Sequence, residues 1–189
     1  MKEQTKTKKY IELVQLWNKT HNLISKDQAN NLKEHIEDSL SVFDEIGEVL
    51  VDLGSGGGLP GIPIAIQGPE KQVILVESNS KKAAFLLNTI NKLELKNTSV
   101  IHARIEDLDP ASLPKNYEII ARAVGTPEQI IKLTKKHLDQ PGIKLQLMKT
   151  ENQLKSETIP PNYAIKKILK IPSKEKDKDR ILVTIEKDG

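Results

Sequence analysis

VDLGSGGGLPGIP, Val51 to Pro63, holds five of the chain's ten glycines. The apolar run EVLV leads into it and Gly61-Ile62-Pro63 opens a helix, so the segment is predicted to be a glycine loop joining strand to helix. In open α/β sheets ligands bind outside the carboxyl ends of the strands, where this loop would stand. Three ligand classes favour glycine there: a nucleotide phosphate, a dinucleotide and a methyl donor. A P-loop needs Lys and Ser/Thr after its last glycine, but Gly61 is followed by Ile62 and Pro63. The dinucleotide spacing G-x-G-x-x-G is formally met by Gly56, Gly58 and Gly61. Pro60, however, removes an N–H from the turn where a pyrophosphate needs donors and biases Leu59 toward extended geometry. Asp52, two residues before Gly54, would repel a pyrophosphate and suit a ligand carrying an ammonium and a sulfonium.

Around the loop the apolar pattern repeats. QVILVE (72–77), TSVIHA (98–103), YEIIARA (117–123) and IKLQLM (143–148) read as strands, with helical stretches at Lys81–Leu93 and Pro127–Leu138 between them. This alternation predicts a parallel, doubly wound sheet. YAIKKILKI (163–171) and RILVTIE (180–186) follow without an intervening helix and predict an antiparallel hairpin on the sheet edge. A mostly parallel sheet finished by such a hairpin is the class I S-adenosylmethionine-dependent methyltransferase fold, a Rossmann-like α/β architecture. Ahead of it, Ile11, Leu13, Val14 and Trp17 mark one helix, and Leu32, Ile36, Leu40 and Phe43 mark another over about residues 30–46. The expected organisation is a single domain, 1–189, with an N-terminal helical extension (1–48) on a Rossmann-like core (49–189).

The 189 residues are enough to bury a core, and 37% hydrophobic with 29% charged residues describes a soluble globular chain. No apolar run approaches the roughly 18 residues of a membrane span, and the basic start MKEQTKTKKY lacks the apolar stretch of a secretory signal. With no cysteine, disulfides, thiolate zinc sites and cysteine nucleophiles are excluded. A cytoplasmic monomer without metal or membrane is expected. Lys2, Lys6, Lys8 and Lys9 crowd one end; Lys166, Lys167, Lys170, Lys174, Lys176, Lys178 and Arg180 crowd the other. Such clusters can track nucleic-acid phosphates, although the acids in KEKDKDR weaken the field.

Glu77 closes the second strand, where an acid accepts hydrogen bonds from both ribose hydroxyls of a nucleoside. Glu106 follows the third strand, where a polar side chain meets an adenine amino group. Three acids at three successive strand ends, beside the glycine loop, point to S-adenosylmethionine. The donor site so read comprises Asp52, Gly54, Ser55, Gly56, Gly58, Glu77, Ser78 and Glu106. Methylation of a pyrimidine C5 needs a cysteine nucleophile, which is absent. Methylation of an exocyclic amine uses an Asn/Asp-Pro-Pro-Tyr/Phe turn after the fourth strand, where this chain has ARAVGT. An atom with an exposed lone pair and no proton to lose, such as guanine N7, remains. Positioning rather than a general base would then carry catalysis. Arg122, charged within an apolar run at a strand end, needs a carboxylate, phosphate or base edge as partner and is the first candidate. His35 and Asp38 share a helical face, where they can meet each other or the substrate, and Lys149 repeats the logic of Arg122 one strand on.

WNKTHNLI (17–24), HIEDSL (35–40), DLGSGGGLPGIPIAI (52–66), ESNSKKAAFL (77–86) and ARAVGTPEQ (121–129) resemble, in order and spacing, the RsmG/GidB family. These are bacterial 16S ribosomal RNA methyltransferases acting on guanine N7 in the 530 loop. The resemblance implies S-adenosylmethionine as donor, 16S rRNA or the 30S subunit as partner, and donor contacts from Gly54, Leu59, Ile105, Glu106 and Arg122. Two positions depart from the family pattern: Gly125 stands for Ala in Arg122-Ala123-Val124-Gly125, and Thr150 stands for Gly after Lys149. Two other readings stand beside this one: a class I enzyme methylating a small molecule or protein, and a non-enzymatic NAD-binding Rossmann-like module.

Overall fold

The chain runs α1 (Glu3–His21), α2 (Lys26–Asn30), α3 (Leu32–Leu40), β1 (Val49–Leu53), α4 (Gly61–Gln67), β2 (Gln72–Val76), α5 (Ser80–Leu93) and β3 (Thr98–Ile101). It continues through β4 (Glu118–Arg122), α6 (Pro127–Leu138), β5 (Lys144–Thr150), α7 (Glu151–Lys155), β6 (Tyr163–Ile171) and β7 (Arg180–Lys187). This computed structural model describes residues 2–172 and 179–188. The candidate phosphate-tracking residues Lys174, Lys176 and Lys178 lie outside the described residues.

The strands form one seven-stranded sheet in the order β3-β2-β1-β4-β5-β7-β6. Pairing is parallel from β3 through β5 and antiparallel where β7 meets β5 and β6. The predicted hairpin is present, and its second strand inserts between β5 and the edge strand β6. The order reverses between β1 and β4, so the crevice that receives a ligand opens between their carboxyl ends. Alternation along the central strands feeds two cores, as expected for a sheet covered on both faces. Leu50, Val73, Leu75 and Ile120 pack on one face with Ile62, Phe85 and Leu86. Val51, Ile74, Ile119 and Ala121 pack on the other with Ile130, Leu145 and Val183.

The helices differ from the pattern reading at their ends. The first spans Glu3–His21 rather than the few turns marked by its apolar residues. The helix expected over about 30–46 is shorter: α3 covers Leu32–Leu40 and a 3-10 turn follows at Phe43–Glu45, while a capping box of Ser25 and Gln28 starts the separate α2 ahead of it. Asn31, at φ −108°, then separates α2 from α3. The short α7, absent from the pattern reading, is started by Thr150: its hydroxyl accepts Gln153 N–H and the Gln153 side chain accepts Thr150 N–H. A Gly here would lack this cap, which gives the Thr150 departure a local structural role. Tyr10 and Val14 of α1 are buried in the same core as Ile62 and Phe85.

Candidate functional site

The glycine loop leaves β1 by crossing the end of β2. Gly54 N–H and Ser55 N–H both donate to the Val76 carbonyl, at 2.9 and 3.2 Å. Gly54 has φ +67°, and a Cβ there would come within 3.2 Å of Val124 Cγ2, across the crevice between β1 and β4. A side chain at Gly54 would therefore strain the backbone and press on the opposite wall. Gly58 N–H closes a turn on the Ser55 carbonyl at 2.6 Å. Leu59, which is buried, joins Pro60 through a cis peptide bond.

Glu77, 7% exposed, ties two pieces of backbone together. Its Oε2 accepts Gly56 N–H and its Oε1 accepts Asn79 N–H, both at 2.8 Å. A carboxylate has about four acceptor positions, so both oxygens retain capacity for ribose hydroxyls, and the residue fits the expected nucleoside. Asn79 in turn caps α5 by accepting Lys81 and Lys82 N–H. Ser78 lies exposed between them, its carbonyl 3.1 Å from His102 Nε2.

Asp52 requires a correction. Its carboxylate was expected to face the charges of a ligand, but it is fully buried beneath the loop. Oδ2 accepts Gly61 N–H at 3.1 Å, and a Cβ on Gly61 would approach that oxygen to 2.6 Å. Burial, with a smaller contribution from the Glu77 charge, pushes the Asp52 carboxyl up to about 7, against the pull of the Gly61 N–H. Asp52 thus fixes the start of α4. The Ser55 hydroxyl is likewise turned inward, donating to the Asp52 carbonyl at 2.9 Å.

After β3, Ile105 opens a 3-10 turn that carries Glu106 at intermediate exposure. The Ile105 side chain is buried and its carbonyl accepts a hydrogen bond from His137 Nε2–H at 3.0 Å. Because that nitrogen donates, His137 Nδ1 is the acceptor for the Tyr117 hydroxyl at 2.6 Å. Burial lowers the pKa of His137, which is held neutral at the end of this chain. The Ile105 carbonyl is committed inward, so its N–H is the polar group it could offer a ligand.

At the end of β4, Arg122 meets both residues singled out on α3. Its Nη2 lies 2.7 Å from His35 Nδ1 and 3.0 Å from Asp38 Oδ2. Arginine has no acceptor, so His35 accepts through Nδ1 and carries its proton on Nε2. Arg180 reaches the same carboxylate, Nε to Oδ1 at 3.5 Å. The next residue, Ala123, holds φ +58°, an unfavourable conformation for a residue with a Cβ that concentrates at functional sites. Gly125 has a nearby steric reason: a Cβ there would lie 2.7 Å from Gln129 Oε1, the atom that accepts Thr126 N–H in the α6 capping box.

Lys149, for which a carboxylate, phosphate or base edge was expected, has a carboxylate inside the protein: its ammonium is 2.8 Å from Glu157 Oε2 and 3.1 Å from the Gly125 carbonyl, with side-chain exposure of 8%. That charge is spent inside the protein. The sequence reading also missed Tyr10, Tyr117 and His137, whose partners lie 20 to 47 positions away. Their one sequence signal is a polar-tipped ring inside an apolar pattern. Among the described residues no cluster of His, Asp and Glu could hold a metal ion, and no helix is long and apolar enough to cross a membrane.

Among solved structures, a point mutant of MtNAS in complex with S-adenosylmethionine superposes with a TM-score of 0.65 at 13% identity, covering 99% of this chain and 76% of that one. An rRNA methylase from Streptococcus thermophilus gives 0.52 at 17% identity, covering 81% and 95%. These likenesses show the class I fold. By sequence, the chain is 39% identical over 181 residues to the ribosomal RNA small subunit methyltransferase G of Hydrogenovibrio crunogenus, covering 94% of this chain and 82% of that protein. It is 37% identical over 169 residues to the protein of that name from Nitrosomonas eutropha, covering 86% and 78%. The family model for GidB, rRNA small subunit methyltransferase G, matches residues 3–182, and the chain belongs to that family.

Proposed function

We propose that this protein methylates N7 of a guanine in the 530 loop of 16S ribosomal RNA, using S-adenosylmethionine. The observation that carries the donor reading is Glu77, whose two oxygens join the glycine loop to the cap of α5 and retain acceptor capacity toward a ribose. Gly54, Gly56, Gly58, Leu59, Ser78 and the Ile105–Glu106 backbone would complete the donor site, with Asp52 and Ser55 shaping it from beneath. When bound, S-adenosylmethionine supplies an electrophilic methyl group on a sulfonium.

The chain's own residues support an acceptor that keeps no proton. In the turn after β4, Thr126 is engaged as the α6 cap and no Pro-Pro pair is present. At that strand end Arg122 is linked to His35 and Asp38, and Arg180 reaches the same Asp38 carboxylate. Arg122 holds His35 in the tautomer with Nε2–H, and its own guanidinium is the charged group at that strand end. Guanine N7 has a free lone pair, so orienting the base suffices and no side chain need remove a proton. The reading includes a single methyltransferase unit acting as a monomer in the cytoplasm, without a metal.

The test is transfer of radiolabelled methyl groups to 30S subunits from a strain lacking this modification, followed by mapping. One label is expected, at a 530-loop guanine, with N7 identified by borohydride–aniline cleavage. No transfer to rRNA would overturn the substrate, and a label at another atom would overturn the N7 assignment. Unchanged transfer in the presence of EDTA and a monomer mass by light scattering are the accompanying expectations.

A further inference from the structure

We infer that Tyr10 is a positioning residue for the methyl donor, acting through the glycine loop. Its hydroxyl donates to the Gly57 carbonyl at 2.7 Å, which makes the N-terminal helix part of the donor site. The inference rests on the reading of that loop as the place where S-adenosylmethionine binds.

The hydroxyl is a deliberate feature of this core. Tyr10 is fully buried. A buried phenol must find a partner, and here the partner is a loop carbonyl 47 residues away. The oxygen also lies 3.3 Å from where a Cβ on Gly58 would stand, so it leaves room there for glycine only. Ile24, just beyond α1, closes on the same place: a Cβ on Gly57 would lie 2.5 Å from Ile24 Cγ2. The N-terminal segment thus grips the loop through one hydrogen bond and one apolar contact.

The grip matters because glycine-rich backbone is intrinsically mobile. Its other fastenings are Gly54 and Ser55 on Val76, Gly56 on Glu77, Gly58 on the Ser55 carbonyl, and Gly61 on Asp52. Between them, the Gly57 carbonyl is held by Tyr10. Fixing that peptide orders the loop before the ligand arrives, and preorganisation of this kind appears as affinity. Burial raises the phenol well above its ordinary range, so it stays a donor at every working pH.

Tyr10→Phe removes only the oxygen. Calorimetric titration with S-adenosylmethionine should show Kd raised about fivefold, the scale of one hydrogen bond. The KM for the donor should rise in step, with kcat at saturating donor within about twofold of native. Val14→Ala, one turn along in the same core, is the packing control and should lower Tm without moving Kd. A Tyr10→Phe variant that binds the donor as native protein does would overturn the inference, and so would a Val14→Ala variant that loses affinity to the same extent. In native protein, donor binding should slow amide hydrogen exchange in α1 around Tyr10, and exchange there that ignores the donor would also overturn it. Native protein that fails to bind S-adenosylmethionine would remove the donor reading itself, an outcome distinct from normal native binding with an unaffected variant.

Discussion

Arg122 and His35 are joined by a 2.7 Å hydrogen bond from Nη2 to Nδ1 across 87 positions of sequence. The same guanidinium nitrogen lies 3.0 Å from Asp38. The expected local pair of His35 and Asp38 is therefore realised through a third residue from the sheet. The planar fork of Arg122 can serve both partners, whereas an ammonium is a point charge. Arg122→Lys is expected to lower the single-turnover methylation rate on 30S subunits about tenfold, while donor Kd changes less. Retention of the native rate would remove Arg122 from the site.

Asp52 gives an unusual pH dependence. Burial pushes its carboxyl up to about 7 in the folded chain, against an ordinary 3.8. Between those values the folded chain keeps a proton that the unfolded chain has released. Stability attributable to this group is therefore lost as pH rises through the window, by on the order of 4 kcal/mol. Asp52→Asn stands in for the protonated acid. Its Tm should match native near pH 4 and exceed it increasingly up to pH 8, followed by thermal unfolding across that range. A constant offset at all pH values would contradict the assignment.

Lys149 and Glu157 form a buried pair, and breaking it on one side leaves an uncompensated charge. Lys149→Met should cost about 3 kcal/mol of stability in urea titration. The double variant Lys149→Met/Glu157→Leu should recover most of that loss. RNA affinity, measured on folded protein at fixed salt, should change little in the double variant. A large loss of RNA binding there would restore Lys149 to the interface.

His137 links the far side of the site to the core through the Ile105 carbonyl. Its pKa is lowered mainly by burial, so the folded chain resists a proton that the unfolded chain accepts below about 6.5. Stability from this group is present above that pH and lost as pH falls. His137→Gln should flatten the acid side of the stability profile while costing about 1–3 kcal/mol near neutrality. Donor Kd should rise a few fold as the Ile105–Glu106 turn loosens, which calorimetry would show.

Local pattern carried much of the architecture. Short apolar runs mark the strands, helical spacing marks α5 and α6, and the missing helix before β7 marks the antiparallel hairpin. Each follows from backbone geometry over a few residues. The glycine loop with Asp52 before it and Glu77 at the next strand end likewise pointed to a ligand class, because these residues stand at successive strand ends. Which way the side chains turn was beyond such reading. Asp52 points under the loop, Lys149 is neutralised by Glu157, and Arg122 finds His35 and Asp38, each through contacts set when distant elements pack. Tyr10 is the clearest case: the helical spacing of Ile11, Val14 and Trp17 marked its helix but gave Tyr10 no role, and only the packing of α1 against the core brought its hydroxyl to Gly57. Burial makes an unpartnered polar atom costly, and the partner it finds is chosen by proximity in three dimensions.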